Sequence, residues 1–172
     1  MKLNSIMCPT DFSKSSDAAL GYASALAAET GATLHIVHVA EKTPAYLAGY
    51  GGFTYVPDVP DSIEREMRNK LDKTNATRSD VVVKRHFLTG SAVPEIVEFA
   101  NREKTDLIIL GTHGRTGISR VLMGSIAEGV LRKAPCPVLT VKSPVKLQEG
   151  TNVSGEPSPR HIRPAMSKFS QH

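Results

Sequence analysis

The chain has 172 residues, a formal net charge of +4, 40% apolar residues and 5% aromatic residues. That length suits one domain whose core hides about two-thirds of the surface of the unfolded chain, and no apolar run approaches the ~20 residues that span a bilayer. The charge is dispersed, residues 143–172 carrying four Lys/Arg against two Glu. A nucleic-acid module would gather it on one face and, for RNA, interleave aromatics, so neither a membrane nor a nucleic acid is expected as a partner.

Residues 1–9 contain too short an apolar segment for a signal peptide, which points to the cytoplasm. Residues 3–8 predict a strand ended by Pro9, and Thr10-Asp11-Phe12-Ser13 a turn with Ser13 as N-cap of the next helix. From 16 to 30, Ala18, Ala19, Tyr22, Ala23, Leu26 and Ala27 recur at helical spacing, giving an alanine-rich inner face, and Gly31 stops the helix. Residues 32–39 predict a second strand, apolar on both faces. His35 and His38 within it are three apart and so point to opposite faces, which argues for packing roles and against a shared metal site.

Residues 41–60 break the rhythm with Pro44, Gly49, Gly51, Gly52, Pro57 and Pro60, and hold three of the four tyrosines. A segment of that length in a small domain is expected to be functional or mobile, covering a ligand or a partner surface. A charged helix follows over 61–77 with Ile63, Met67 and Leu71 in one stripe. Residues 81–88 predict a third strand, Gly90-Ser91 caps a helix through Ile96 and Ala100, and 106–110 predict a fourth strand. A helix over 125–133 and a fifth strand over 137–141 complete the pattern. The tail 143–172 has prolines and serines without periodicity and is expected to be disordered or draped on a neighbour.

The fourth strand runs into Gly111, Gly114 and Gly117, and Gly124-Ser125 opens the next helix. Glycines allow a backbone to approach an anion closely, and a helix N-terminus adds unpaired amides and a positive dipole end, so the stretch reads as a phosphate cradle. Its spacing is neither that of the dinucleotide fingerprint nor that of the Walker loop, whose lysine is missing. A plain turn followed by a capping box, Ser125 with Glu128, fits the same residues. Cys8 and Cys136, each beside a proline, have no metal-ligand spacing and suit buried or strand-end thiols.

Five strands alternating with four helices predict an α/β domain with a parallel sheet doubly wound by helices on both faces. Ligands of such sheets bind at the strands' carboxyl ends where strand order reverses. Asp11, after the first strand, and the glycines after the fourth both fall at carboxyl ends.

Over residues 1–142 the chain resembles the universal stress proteins, in particular their ATP-binding branch. The spacing Gly-x2-Gly-x9-Gly-Ser is met by Gly111, Gly114, Gly124 and Ser125, and residues 8–13 and 135–141 are similar to the family's first strand and turn and to its last strand. The resemblance implies a Rossmann-like, adenine nucleotide alpha hydrolase-like fold over 1–142, with the tail 143–172 outside it. It implies that Pro9, Thr10, Asp11, Val39, Gly111, Gly114, Arg115, Gly124, Ser125 and Ile126 contact ATP. In that scheme Asp11 meets the ribose, the backbone near Val39 the adenine, and the glycines and Ser125 the phosphates. Arg115 and Arg120 would neutralise phosphate charge, and His113 is either a turn residue or a contact. ADP or AMP could replace ATP, Mg²⁺ or Mn²⁺ would accompany the triphosphate, and a homodimer would form through the last strand.

With no Walker lysine and no further carboxylate placed for catalysis, hydrolysis is expected to be slow or absent. The expectation is an ATP-binding regulatory protein of the stress response. The alternative is a nucleotide-independent interaction module of the same fold that recruits an unidentified protein partner.

Overall fold

A computed structural model of the chain describes residues 2–41, 61–112 and 123–142. The elements are β1 (Ser5–Pro9), α1 (Lys14–Thr30), β2 (Thr33–Ala40), α2 (Asp61–Lys73), β3 (Val83–Thr89), α3 (Ala92–Arg102), β4 (Leu107–Gly111), α4 (Ser125–Lys133) and β5 (Val138–Val141). The strands form one sheet in the order β3-β2-β1-β4-β5, and every pairing is parallel. Strand order therefore reverses at β1, with β2 on one side and β4 on the other.

The two faces are covered by different helices. Ala19, Leu20, Ala23 and Ala27 of α1 and Leu71 of α2 pack on Ile6, Cys8, Leu34, Ile36 and Ile109. On the other face, Ile96, Phe99 and Ala100 of α3 and Ala127 and Val130 of α4 pack on Met7, Val37, Ile108 and Leu110. Strand residues thus alternate between two buried faces, which is why the strands show no polar side.

The Ser13 hydroxyl caps α1 by accepting from the Ser16 amide at 3.3 Å, and Gly31 ends the helix at φ 71°, a left-handed conformation that glycine adopts without a Cβ penalty. Tyr22, expected on the inner face, is instead 63% exposed, and Leu20 and Ser24 take that side. The buried Ser24 hydroxyl satisfies itself on the Leu20 carbonyl at 2.7 Å. Helix α2 stops at Lys73, short of the expected 77, because the Thr74 amide turns back to the Leu71 carbonyl. Of its stripe only Leu71 is buried, while Ile63 is exposed. Strand boundaries elsewhere move by one or two residues.

Pro9 is the last residue of β1 and not its stop. Thr10 donates to the Val37 carbonyl of β2, so the preceding residue's main chain faces β4. Proline has no amide to give there, and the β1–β4 register runs only through Met7↔Ile108. The ladder loses a donor at the carboxyl end, where order reverses. At the opposite end, the Asp106 carboxylate accepts from the Asn4 and Ser5 amides at 2.7 and 3.0 Å and ties β1 to the entry of β4.

Both cysteines are free. Burial, helped by nearby Asp17, pushes the Cys8 thiol up to about 12, and burial raises half-buried Cys136 as well. Both shifts disfavour the thiolate, in keeping with packing roles. His35 and His38 do lie on opposite faces: His35 meets Phe99 of α3, whereas His38 meets Phe12 and Phe87. No described helix is long and apolar enough to cross a membrane. The expectations for residues 42–60 and 143–172 lie outside the described residues.

Candidate functional site

At the carboxyl end of β1 the chain turns sharply into α1. Thr10 is buried, and its hydroxyl accepts from the Phe12 amide at 3.1 Å while donating to Ser16 Oγ at 3.1 Å. Ser16 in turn donates to the Ser13 carbonyl at 2.8 Å. Within this hydroxyl network Asp11 is half-buried, its Oδ1 accepting from the Ser13 amide at 3.1 Å. Asp11 therefore does serve as a helix-entry turn residue, the role open to it from sequence alone, and it follows the carboxyl end of β1, where strand order reverses.

Val39 belongs to β2, and the β1 register ends at Pro9↔Val37. Main-chain groups in a parallel strand alternate between neighbours. Thr33 donates to Asn4, Val37 accepts from Thr10, and Leu34 and Ala40 bond to the β3 side. Val39 follows the odd-numbered series, so its N–H and C=O face the space beyond the end of β1. That is an adjacent donor and acceptor, the pair a purine edge requires.

Gly111 ends β4 against the first turn of α1. A Cβ there would stand 2.8 Å from the main-chain carbonyl carbon and oxygen of Ser15 and would also strike its Oγ. The glycine is thus demanded by strand–helix packing whether or not a phosphate approaches. Thr112 follows, donating to the Val141 carbonyl at 3.0 Å and accepting from the Gly124 amide at 2.7 Å. That bond brings the start of α4 to the end of β4.

Gly124 is the N-cap of α4, extended at φ −73° and ψ 152°, with no side-chain cap hydrogen bond. Ser125 is the first helical residue and exposed. The capping box that Ser125 and Glu128 also fitted as an alternative is therefore absent among the described residues; the Glu128 amide instead closes the first turn on the Gly124 carbonyl at 2.9 Å. The amides of Ser125, Ile126 and Ala127 have no carbonyl to reach inside the helix, and they lie at its positive dipole end with the Ser125 hydroxyl beside them. Ile126 is exposed.

A continuous chain of contacts thus joins four of the sequence-derived positions: Thr10 and Asp11 to the first turn of α1, that turn to Gly111, and Gly111 through Thr112 to Gly124. Pro9 and Val39 border the same end of the sheet, and Ser125 and Ile126 continue from Gly124. Gly114 and Arg115, like His113, Gly117 and Arg120, lie outside the described residues. Among the described residues no group of three or more His, Cys, Asp or Glu is placed to hold a metal ion.

Sequence reasoning missed one participant. His38 is buried, and its Nδ1 lies 2.7 Å from the Thr10 carbonyl. A carbonyl only accepts, so Nδ1 carries the hydrogen. The period-two pattern placed His38 on the correct face but could not show that the turn after β1 folds back over it.

The family model for the universal stress protein family matches residues 2–142. The chain is 38% identical over 144 residues to universal stress protein MJ0531 of Methanocaldococcus jannaschii, covering 82% of this chain and 83% of that protein. It resembles the solved structure of MJ0577 from the same organism with a TM-score of 0.62 and 28% identity, over 83% of this chain and 97% of that one. It also resembles a universal stress protein solved in complex with cAMP, with a TM-score of 0.55 and 26% identity, over 84% of this chain and all of that one. With the family model spanning residues 2–142 and a relative 38% identical over most of both chains, the chain belongs to the universal stress protein family.

Proposed function

We propose that the protein binds an adenine nucleotide, ATP in the first place, in the crevice between the carboxyl ends of β1 and β4, and acts as a regulatory component of the stress response. The observation that carries this reading is the convergence on one crevice of three kinds of recognition. Val39 offers a main-chain donor–acceptor pair for a base edge, Asp11 a carboxylate for sugar hydroxyls, and the uncapped start of α4 its amides with the Ser125 hydroxyl for phosphate. The cAMP complex of a related universal stress protein supports an adenine nucleotide as the ligand class. Gly114, by its place in the Gly-x2-Gly-x9-Gly-Ser spacing, and Arg115, by its charge, would complete the phosphate side.

Mg²⁺ or Mn²⁺ would arrive with the triphosphate, held chiefly by phosphate oxygens and water. Binding, and not turnover, is the proposed activity. Asp11, at the carboxyl end of β1, is assigned to the sugar, and the glycine stretch carries no Walker lysine to stabilise the leaving phosphate. A change in nucleotide occupancy would be read by a partner or by the dimer formed along the β5 edge. Residues 1–142 would form this unit, acting in the cytoplasm.

The test is to purify the protein natively, identify the nucleotide released on denaturation, and follow phosphate release after adding ATP and Mg²⁺. Co-purifying adenine nucleotide with negligible phosphate release is expected. Brisk hydrolysis would overturn the regulatory reading, and a protein that neither carries nor takes up adenine nucleotides would overturn the site.

A further inference from the structure

We propose that His38 is a positioning residue for nucleotide binding: from beneath the crevice it holds, through Thr10 and Phe12, the turn that carries Asp11. The inference rests on the nucleotide reading above and adds to it a residue that would never touch the ligand.

The turn cannot hold its shape unaided. Phe12 has φ 63°, in the left-handed region, which is unfavourable for a bulky residue and persists only where the surroundings enforce it. From the helix side the enforcement comes from the Thr10, Ser13 and Ser16 hydroxyls described above. From the sheet side it comes from two neighbouring residues of β2. The Val37 carbonyl accepts from the Thr10 amide at 2.8 Å, and His38 Nδ1 donates to the Thr10 carbonyl at 2.7 Å. Both main-chain groups of Thr10 are thereby fixed, one residue before Asp11.

The same imidazole also supports Phe12, with ring centroids 4.4 Å apart and planes 34° apart, and leans on Phe87 of β3 at 5.6 Å. Asp11 lies between the two residues His38 holds. An apolar side chain at position 38 could fill the space against Phe12 but would leave a buried carbonyl without its donor. The turn would then relax to find one, carrying the Asp11 carboxylate with it.

A residue that acts through Asp11 should affect the ribose end of the ligand and leave the phosphate end alone. The experiment measures the affinities of wild type, His38→Leu, His38→Asn and Asp11→Ala for ATP and for 2′,3′-dideoxy-ATP. Wild type should prefer ATP by about tenfold or more, the worth of at least one hydrogen bond to a charged group. His38→Leu should lose most of that preference while still binding the dideoxy nucleotide. His38→Asn, whose amide N–H can replace Nδ1–H, should recover it, and adding His38→Leu to Asp11→Ala should change the preference no further.

If His38→Leu does not fold, His38→Gln replaces it, its amide being set for the Nε2 position and not for Nδ1. A wild-type preference retained in the apolar variant, or an equal loss for both nucleotides, would overturn the role of His38 alone. Failure of the wild type to bind either nucleotide would overturn the site itself and this role with it.

Discussion

Gly111 at the end of β4 and Ser15 in the first turn of α1 approach so closely that no side chain fits between them, a Cβ at Gly111 falling 2.8 Å from the Ser15 carbonyl oxygen. A backbone atom cannot swing aside as a side-chain tip can. Gly111→Ala should therefore lower stability by about 2–3 kcal/mol in the absence of any nucleotide, as overpacking does elsewhere. Urea unfolding of the ligand-free protein measures it. A variant as stable as wild type but unable to bind nucleotide would show instead that this glycine serves the ligand alone.

On the face covered by α3, His35 Nδ1 lies 3.1 Å from His86 Nε2, the rings stack 5.2 Å apart, and Phe99 stands edge-on to both. Burial is the main cause holding both imidazoles below their ordinary value, with Lys84 adding to the effect and Glu103 opposing it; His86 further lowers His35 and Arg102 lowers His86. A depressed base is neutral in the fold while its unfolded counterpart takes up a proton. The contribution to stability is thus intact above the unfolded value of 6.5 and is lost as pH falls below it toward the folded values. Denaturant midpoints should fall between about pH 7.5 and about pH 5.5, and His86→Gln should flatten the slope. Equal slopes in the two proteins would contradict the assignment.

β5 is a four-residue edge strand with Leu139 43% exposed. Ile108 and Thr112 donate to the Pro137 and Val141 carbonyls, so the main-chain groups of Val138 and Thr140 face outward, unpaired within the sheet. If this edge joins two copies, Thr140→Pro removes an outward amide without touching the β4 ladder. Sedimentation should show a wild-type dimer and a monomeric variant. A variant that remains dimeric would place the interface elsewhere.

Local signals were enough for most of the architecture. Ser13 and Gly31 bound α1 by side-chain capping and a left-handed φ, both properties of single residue types, and the unbroken apolar runs in β1, β2 and β4 follow from a sheet buried on both faces. What escaped the sequence depends on contacts between distant segments. Tyr22 fits the helical period but lies just beyond the strip of α1 that meets the sheet, a difference decided by the helix's rotation. Gly111 looked like part of a ligand loop because nothing local shows that Ser15 would press on it. Ser125 and Glu128 match a capping box letter by letter, yet Gly124 takes the cap position because the bond from its amide to Thr112 sets where α4 begins. His38, whose face was legible, gained its second role only when the turn after β1 closed over it.

Under the proposed function, one crevice at the carboxyl ends of β1, β2 and β4 holds the whole nucleotide. Titrating ATP with Mg²⁺ into the ¹⁵N-labelled protein and following its amide resonances tests that most directly. Asp11, Val39, Gly111, Ser125 and Ile126 should shift together along one saturating curve, while amides at the opposite end of the sheet, such as Asn4 and Asp106, stay in place. Shifts confined to another surface, or none across the titration in a folded protein, would contradict the site.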